Sequence, residues 1–399
     1  MPVGTAFHQR TFQLCASLNY REWSGYYAVS SYEPHHEHEY NAIRNAAALI
    51  DISPLFKYRV SGKDATRLVD RIITRDMAKV SVGQVIYTPW CDERGKVIDD
   101  GTISRLEENT YRWTAADPSL RWFTQNAAGM DVRIEDISES VAALALQGPT
   151  SGRLLKSLVK DAEVDNLKYF RVTRGTIAGV DVEISRTGYT GDLGYEIWMA
   201  AEHALVVWDA VMDAGRAFDI HPAGMLALDV ARIEAGLLLI EVDFNSSKKA
   251  LIDDQKYSPF ELGLGRLVHT NKSRFIGQAA LLAEQKRGSA REIVGIEIDW
   301  PEVERLYENV GLPPAVSPIA SRVAVPVFKD GVQVGKATSS TWSPVLKKMI
   351  ALATLKQPYA RLGSQLEFEI TVEAKRHRVR ARVVKTPFFN PGRKTATPI

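Results

Sequence analysis

Cysteine is scarce in this sequence: Cys15 and Cys91 are the only two among 399 residues. Two isolated cysteines cannot build a disulfide framework or a cysteine-rich zinc site, and such usage is typical of proteins in a reducing compartment. We therefore expect a cytoplasmic protein.

Long hydrophobic runs are also missing. No apolar stretch reaches the roughly 18 residues that a membrane-spanning helix needs. The first residues contain Glu22 and alternating polar side chains, without the apolar core of a secretory signal. We expect neither a membrane span nor a signal peptide.

Neither sign of charge dominates, because 50 Lys and Arg face 48 Asp and Glu, for a net charge of +2. Without a strong positive field, no nucleic-acid partner is expected. A nucleophile elbow, a phosphate-binding glycine loop and a dinucleotide fingerprint are absent from the sequence. The length indicates about two to three domains with an ample core.

A glycine-rich stretch, residues 185–197, is the most informative part of the chain. Alternating apolar and acidic residues precede it and a second strand-like run follows, so it predicts a loop between two strands. Glu196 comes directly after the glycines. Its two oxygens can accept parallel hydrogen bonds from a flat ligand edge with two adjacent N–H groups, such as that of a pterin. An ordinary hairpin loop with a solvated glutamate fits the same residues.

The thirteen residues 185–197 resemble the signature of the glycine-cleavage T-protein family, the tetrahydrofolate-dependent aminomethyl and methyl transferases. The resemblance covers nearly the whole chain after residue 39. It implies an α+β, multidomain folate-binding fold with mixed and antiparallel sheets and a small C-terminal β-barrel. The expected catalytic region is 1–287, in two α+β subdomains of about 1–140 and 141–287, and the barrel domain is 288–399.

Strand-like runs support the barrel without the resemblance, because six short ones follow Arg291, with a hairpin turn at residues 329–331. Upstream, residues 84–90 and 96–103 predict a hairpin that carries Asp99 and Asp100 near its end. Strand alternation sends these two side chains to opposite faces. One carboxylate can therefore be buried while the other meets solvent.

The resemblance assigns roles to individual residues. Asp100 matches the family's catalytic aspartate, beside the reacting nitrogen of tetrahydrofolate. The resemblance also implies a set of folate contacts: Glu196, Tyr189, Tyr87, Tyr169 and Thr114. It implies no metal site.

Three positions depart from the family pattern or point to one branch of it. Leu55 follows Pro54 where the family carries His-Met, and Leu228 replaces a ligand-contacting arginine. The run from Trp113 to Asp117 is more similar to the dimethylsulfoniopropionate demethylase branch. We therefore interpret Leu55, Trp113 and Leu228 as substrate contacts.

These departures favour a demethylase that moves a methyl group from a small S-, O- or N-methyl donor to N5 of tetrahydrofolate. One alternative is a glycine-cleavage aminomethyltransferase, whose donor arrives on a lipoyl carrier protein. Another is a non-catalytic folate-binding protein of iron-sulfur maintenance, but those relatives carry a Lys-x-Cys-Tyr-x-Gly-Gln motif. Neither Cys15 nor Cys91 stands in such a motif.

Several other segments have two interpretations each. His35 and Glu39 open a predicted helix that includes Ala47 and Leu49, and they indicate either a metal site or a solvated helix start. The alternating arginines at 376–382 predict either an exposed edge strand or a binding surface for the glutamate tail of folate. Residues 1–34 are aromatic and are expected to wrap the domain or line a pocket mouth.

Overall fold

The computed structural model describes residues 1–396. Its α-helices are α1 His8–Leu14, α2 Glu37–Asn45, α3 Ala65–Ile72, α4 Leu120–Asn126, α5 Ser151–Leu158, α6 Ala204–Gly215, α7 Met225–Glu234, α8 Gln278–Arg287 and α9 Trp300–Glu308. None of these described helices has the length and apolar character to cross a bilayer.

The strands lie between and after these helices. They are β1 Asn19–Trp23, β2 Tyr26–Ser31, β3 Ala47–Asp51, β4 Phe56–Ser61, β5 Val85–Cys91, β6 Val97–Glu107, β7 Thr110–Ala115, β8 Arg133–Asp136, β9 Val141–Gln147, β10 Val172–Ile177, β11 Val180–Ser185, β12 Gly194–Ala200, β13 Ile220–Pro222, β14 Arg291–Ile298, β15 Val325–Lys329, β16 Val332–Ser343, β17 Lys348–Lys356, β18 Gln365–Val372 and β19 Lys375–Val384.

One sheet has five antiparallel strands in the order β5-β6-β7-β4-β8. Helices α3 and α4 supply buried residues to the apolar core on one of its faces. Within that core Trp113 stacks on Phe123 with ring centroids 4.1 Å apart, and Trp90 meets Trp113 edge-on at 5.2 Å. Because alternate residues point to opposite faces, the side chains of Arg112 and Thr114 face away from this core.

A second sheet has the order β10-β11-β12-β9-β3-β13. Strand β3 comes from the first predicted subdomain, yet it pairs with β9 and β13 of the second. One face of the sheet packs with residues of α5 and α6, and the other, which carries Trp198, packs with residues of α2 and α7. Since Glu196 is two residues before Trp198 on β12, it lies on the α7 side.

The helix predicted after His35 is shorter than expected. It ends at Asn45, and Ala47 and Leu49 lie in strand β3 instead. Both are fully buried, and they pair with distant strands: Leu49 with Leu146 of β9 and Ala47 with Ile220 of β13. Long-range pairing therefore overrides the local helical pattern. Glu39 is buried rather than solvated, because it accepts the N–H groups of Tyr32 and Gly224, both at 2.7 Å.

The C-terminal strands form a closed six-stranded barrel in the order β14-β17-β16-β15-β18-β19, which confirms the predicted barrel. Its arginine strand, β19, pairs with β18 and β14, so it is not an edge strand. Three of its arginines already have acidic partners within 4.0 Å: Arg376 with Glu369, Arg378 with Glu367, and Arg380 with Asp299 and Glu302.

Helix α7 joins the catalytic region to the barrel. Arg232 forms an ion pair with Asp243 at 2.6 Å and donates to the hydroxyl of Ser339 at 2.8 Å. Glu234 binds Arg44 at 2.6 Å and accepts from the hydroxyl of Ser343 at 2.6 Å. Arg232 and Glu234 have separate partners because helix residues two apart point to opposite sides.

Candidate functional site

The two aspartates of the β5–β6 hairpin have different environments. Asp99 is fully buried and accepts three backbone N–H groups, from Asp100 at 2.8 Å, Ala116 at 3.1 Å and Asp117 at 3.0 Å. Asp100 points to the opposite face and is half-buried. Asp99 therefore fixes the backbone, and Asp100 is the carboxylate available to a ligand.

Tyr87 is the hydrogen-bond donor to Asp100. Its hydroxyl lies 2.6 Å from a carboxylate oxygen of Asp100. Burial raises the pKa of Asp100 to about 6, and the hydrogen bond from Tyr87 opposes that rise. A carboxylate with this pKa is ionised at neutral pH but can change charge under mildly acidic conditions.

Tyr189 completes this group of residues. Burial raises the pKa of Tyr189, and the charge of Asp100 contributes to the rise. Its hydroxyl donates to the backbone carbonyl of Leu238. The ring is thus fixed at its far end and stays half-buried.

Glu196 lies on β12, directly opposite Ser185 of β11. The hydroxyl of Thr187 donates to it at 2.7 Å. Burial raises the pKa of Glu196, while the hydrogen bond from Thr187 and the charge of Arg112 lower it. The residue is half-buried.

The glycine loop is shaped by Gln147, the last residue of β9. Its amide donates to the carbonyls of Thr187 at 3.2 Å and Tyr195 at 3.3 Å, and its oxygen accepts from the hydroxyl of Thr190 at 2.8 Å. A Cβ atom at Gly194 would overlap the Gln147 side chain. Here glycine makes room for Gln147, an architectural role that the sequence motif did not reveal.

Arg112 is a site residue that sequence reasoning missed. Its guanidinium is buried, pairs with Glu183 and lies 4.2 Å from the centroid of the Trp198 ring. Its Nη2 atom is buried without a hydrogen-bond partner among residues 1–396. Successive side chains of a strand point to opposite faces, so Arg112 and Thr114 lie on one face of β7 and Trp113 on the other. Strand alternation could therefore have identified Arg112 from the sequence.

Tyr169 stands on the Glu196 side. Its ring meets Phe170 edge-on with centroids 4.6 Å apart, and it is half-buried. Burial raises the pKa of Tyr169, with the nearby charge of Glu196 adding to the rise.

Family models match most of this chain. The model described as the GCVT N-terminal domain covers residues 7–272, and the Glycine cleavage T-protein C-terminal barrel domain covers residues 309–390. The chain belongs to the glycine cleavage T-protein family.

Curated T-protein relatives align over most of both chains. The "Aminomethyltransferase" of Caldanaerobacter subterraneus is 35% identical over 334 residues, which are 82% of this chain and 82% of that protein. The protein of the same name from Bacillus subtilis is 35% identical over 88% of this chain and 90% of its own length. With such transferases as relatives, this T-protein homologue is an enzyme of the transferase class.

Two further comparisons support less about this chain, one because of its coverage and the other because of its low sequence identity. The "Trimethylamine-oxide aldolase" of Ruegeria pomeroyi is 34% identical over 98% of this chain, but only 47% of that protein is covered. The crystal structure of glycine cleavage system aminomethyltransferase T from Bartonella henselae has a TM-score of 0.82, with 98% and 99% of the two chains covered, at 21% identity. That likeness shows that the T-protein fold is shared.

The remaining candidate T-protein site residues separate into two groups. Thr114 is buried on the same face as Arg112, with its hydroxyl 2.8 Å from that of Thr102. Leu55 and Leu228 join Tyr189 around one apolar cluster, in which Leu55 and Tyr189 are half-buried. The structure does not bring Trp113 to them, because it is fully buried in the core on the far face of the five-stranded sheet.

The histidines before helix α2 do not gather metal ligands. Among residues 1–396, no group of three His, Cys, Asp or Glu side chains could hold a metal ion. His36 instead lies 3.0 Å from the carbonyl oxygen of Pro318.

Proposed function

We propose that this enzyme transfers a one-carbon unit to N5 of tetrahydrofolate. The observation that carries the proposal is a pair of half-buried carboxylates, Asp100 and Glu196, each flanked by tyrosine and each with a raised pKa. Residues two apart on a strand face are about 7 Å from each other. Arg112 and Thr114 are two apart on β7 and share a face, with Arg112 towards Glu196 and Thr114 towards Asp100.

The residues at the Glu196 end fit a pterin. Glu196 accepts hydrogen bonds from adjacent N–H groups of a flat ring, and the partnerless Nη2 of Arg112 is a donor suited to a ring carbonyl. Tyr87, Tyr169 and Tyr189 supply aromatic faces for the ring. The donor set therefore matches the hydrogen-bonding pattern of a reduced folate.

Asp100 orients the reacting amine and offsets positive charge that develops on it. Tetrahydrofolate, when bound, supplies the nucleophilic nitrogen that accepts the carbon. The protein otherwise holds donor and acceptor in line, which can account for about 7 to 11 kcal/mol of the barrier.

Two classes of donor remain to be distinguished. The relatives named aminomethyltransferase favour an aminomethyl group delivered on a lipoyl carrier protein, rather than the free methyl donor that the sequence departures favour. The methyl-donor interpretation keeps two supporting observations: the aliphatic Leu55 and Leu228 beside Tyr189, and the similarity to the trimethylamine-oxide aldolase over 98% of the chain. No observation favours the non-catalytic folate-binding alternative.

The donor can be identified by product analysis. We expect tetrahydrofolate to be converted when the correct donor is added, at a rate well above that of the Asp100→Asn variant. An aminomethyl donor on the lipoyl carrier yields methylenetetrahydrofolate and ammonia, whereas small S-, O- or N-methyl compounds yield 5-methyltetrahydrofolate. Mass spectrometry of the folate separates these products, and an unmodified folate with every donor would contradict one-carbon transfer.

The pH dependence of the transfer rate should follow the ionisation of the Asp100 carboxyl group. Because the ionised carboxylate is the active form, activity falls as the pH drops through about 6, the pKa of Asp100. The Tyr87→Phe variant loses the hydroxyl that lowers this pKa. The acid limb of the rate profile should then move up by about one pH unit.

The control for this measurement is Tyr169→Phe, which removes a hydroxyl on the Glu196 side. Its acid limb should stay at the wild-type pH even if its KM for folate rises. If the acid limb does not move in Tyr87→Phe, the ionisation seen in the rate profile is not that of Asp100.

A further inference from the structure

Lys57 of strand β4 is a fully buried lysine that the proposed function does not use. It pairs directly with Thr114 of β7, and residues opposite each other in an antiparallel pair have their side chains on the same face of the sheet. That face also carries Arg112, two residues before Thr114. A buried cation therefore lies on the face of the sheet that forms one wall of the candidate site.

The ammonium group of Lys57 binds the backbone of the loop between β3 and β4, residues 52–55. Its Nζ atom donates to the carbonyl of Ser53 at 2.6 Å and to the carbonyl of Leu55 at 2.9 Å. Hydrogen bonds from a charged donor are about twice as strong as those between neutral groups. Lys57 thus holds the chain on both sides of Pro54.

The two ends of this loop are fixed in different ways. Ser53 is also bound to the second sheet, because its hydroxyl accepts the N–H of Ala143 at 3.1 Å. The N–H of Leu55 donates to the carbonyl of Ile52 at 3.3 Å, within the loop itself. Among the hydrogen bonds of residues 1–396, the bond from Lys57 is therefore the one that fixes Leu55 to the sheet.

The position of Leu55 matters to the donor side of the site. Leu55 and Tyr189 are half-buried around the apolar cluster that contains Leu228, and we call these three residues the donor wall. Transfer needs the donor carbon and the folate nitrogen in line at about 3 to 3.5 Å, and a misplacement of about 1 Å can cost a hundredfold in rate. A shift of the donor wall would therefore slow transfer.

The charge of Lys57 depends on groups from three neighbouring strands. Burial lowers the pKa of Lys57 to about 8, against the charges of Asp51 of β3 and Asp136 of β8, while the charge of Arg112 of β7 adds to the lowering. The ammonium form is present at neutral pH and is lost as the pH rises through about 8. The neutral amine has two N–H groups and no charge, so its bonds to the two carbonyls are weaker.

We propose that Lys57 is a positioning residue that holds Leu55, and with it the donor wall, through its bonds to the carbonyls of Ser53 and Leu55. This inference rests on the proposed function, because it requires a donor that lies against Leu55. It adds an alkaline limit to the reaction, since the loop loosens and the transfer rate falls as the pH rises through about 8.

The test is the Lys57→Met variant, assayed with the donor that the product analysis above identifies. Methionine fills the buried space with a flexible apolar chain but cannot donate to the two carbonyls. At saturating folate, kcat/KM for the donor should fall about ten- to a hundredfold. The Kd of monoglutamyl tetrahydrofolate, measured by calorimetry, should stay within about threefold of wild type, because the folate contacts are intact. The alkaline limb should be absent from the rate profile.

A double-mutant cycle separates positioning from a general loss of stability. The Leu55→Ala variant removes the side chain through which Lys57 acts. Adding Lys57→Met to Leu55→Ala should therefore lower kcat/KM for the donor by less than about threefold, whereas independent effects would multiply. Leu55→Ala alone should already show a weaker alkaline limb, and this measurement tests the inference if Lys57→Met does not fold.

The matched control is Lys272→Met. Lys272 is also buried and binds backbone carbonyls, those of Ile73 at 3.0 Å and Arg75 at 2.7 Å, and it pairs with Asp70 at 3.0 Å. Its loop does not carry Leu55. This variant should have a lowered Tm, like Lys57→Met, but should keep the alkaline limb and the wild-type kcat/KM for the donor at saturating folate.

The outcomes distinguish this inference from the proposed function. A wild-type kcat/KM for the donor in Lys57→Met, an alkaline limb that survives in it, or multiplying effects in the cycle would overturn the positioning role alone. An equal loss in Lys272→Met would do the same, because lowered stability would then explain both variants. A wild-type enzyme that converts tetrahydrofolate with none of the donors would overturn the proposed function and this inference together.

Discussion

The Asp100→Asn variant is expected to lose about two to three orders of magnitude in the rate of one-carbon transfer. Asparagine keeps the size of aspartate and can still accept a hydrogen bond from Tyr87, which lies 2.6 Å away in the wild-type enzyme. It removes the negative charge that offsets developing positive charge on the reacting amine. Single-turnover rates with saturating folate measure this loss, and the Kd for folate should change by less than about threefold.

The neighbouring carboxylate provides the matched control. Asp99 accepts three backbone N–H groups and is fully buried. The Asp99→Asn variant keeps only one acceptor oxygen, so it should lower the Tm, with a cost of about 2 to 4 kcal/mol. Asp100→Asn should leave the Tm near that of the wild type. A transfer rate within about threefold of wild type in Asp100→Asn would remove the catalytic role.

The Glu196→Gln variant is expected to weaken tetrahydrofolate binding about ten- to a hundredfold. A glutamine presents an N–H group where the ligand also presents N–H, so one charge-assisted hydrogen bond is lost and one contact becomes repulsive. Hydrogen bonds to a charged group contribute about 1.5 to 3 kcal/mol. Calorimetry with monoglutamyl tetrahydrofolate measures the change, and wild-type affinity would sink the assignment of Glu196.

Glu183 supplies the comparison for this variant, because both glutamates interact with Arg112. Glu183 forms the ion pair with Arg112, while the charge of Arg112 opposes the rise in the pKa of Glu196 that burial causes. If the Glu183→Gln variant weakened folate binding as much as Glu196→Gln, the cause would be displacement of Arg112. The proposal requires the loss to be much larger at position 196.

Local alternation accounts for the part of the site that the sequence predicts. Neighbouring strand residues face opposite ways, so the sequence alone assigns Asp99 and Asp100 to different environments. The six barrel strands are predictable for the same reason, since each carries its own period-two pattern and turn residues. These features depend on residues close together in the chain.

Long-range contacts account for the part that the sequence does not predict. The local pattern favours helix for strand β3, whose partner β9 lies far along the chain. Alternation places Arg112 on the face of Thr114, but the sequence does not reveal its partners, Glu183 and Trp198, because they belong to another sheet. The resemblance places Trp113 at the substrate, although its packing against Phe123 is decided by helix α4.

The hydrogen bonds between helix α7 and the barrel affect how freely the barrel can be exchanged for that of a relative. Arg232 and Glu234 are fully buried, and their partners include Ser339 and Ser343 of the barrel. Both charges keep their ion-pair partners, Asp243 and Arg44, within the catalytic region. Loss of the barrel would remove one hydrogen bond from each charge, at a cost of about 1.5 to 3 kcal/mol each. Exchange of the barrel for that of a relative should therefore retain a hydroxyl at both serine positions, and we expect a stability penalty when either is lost.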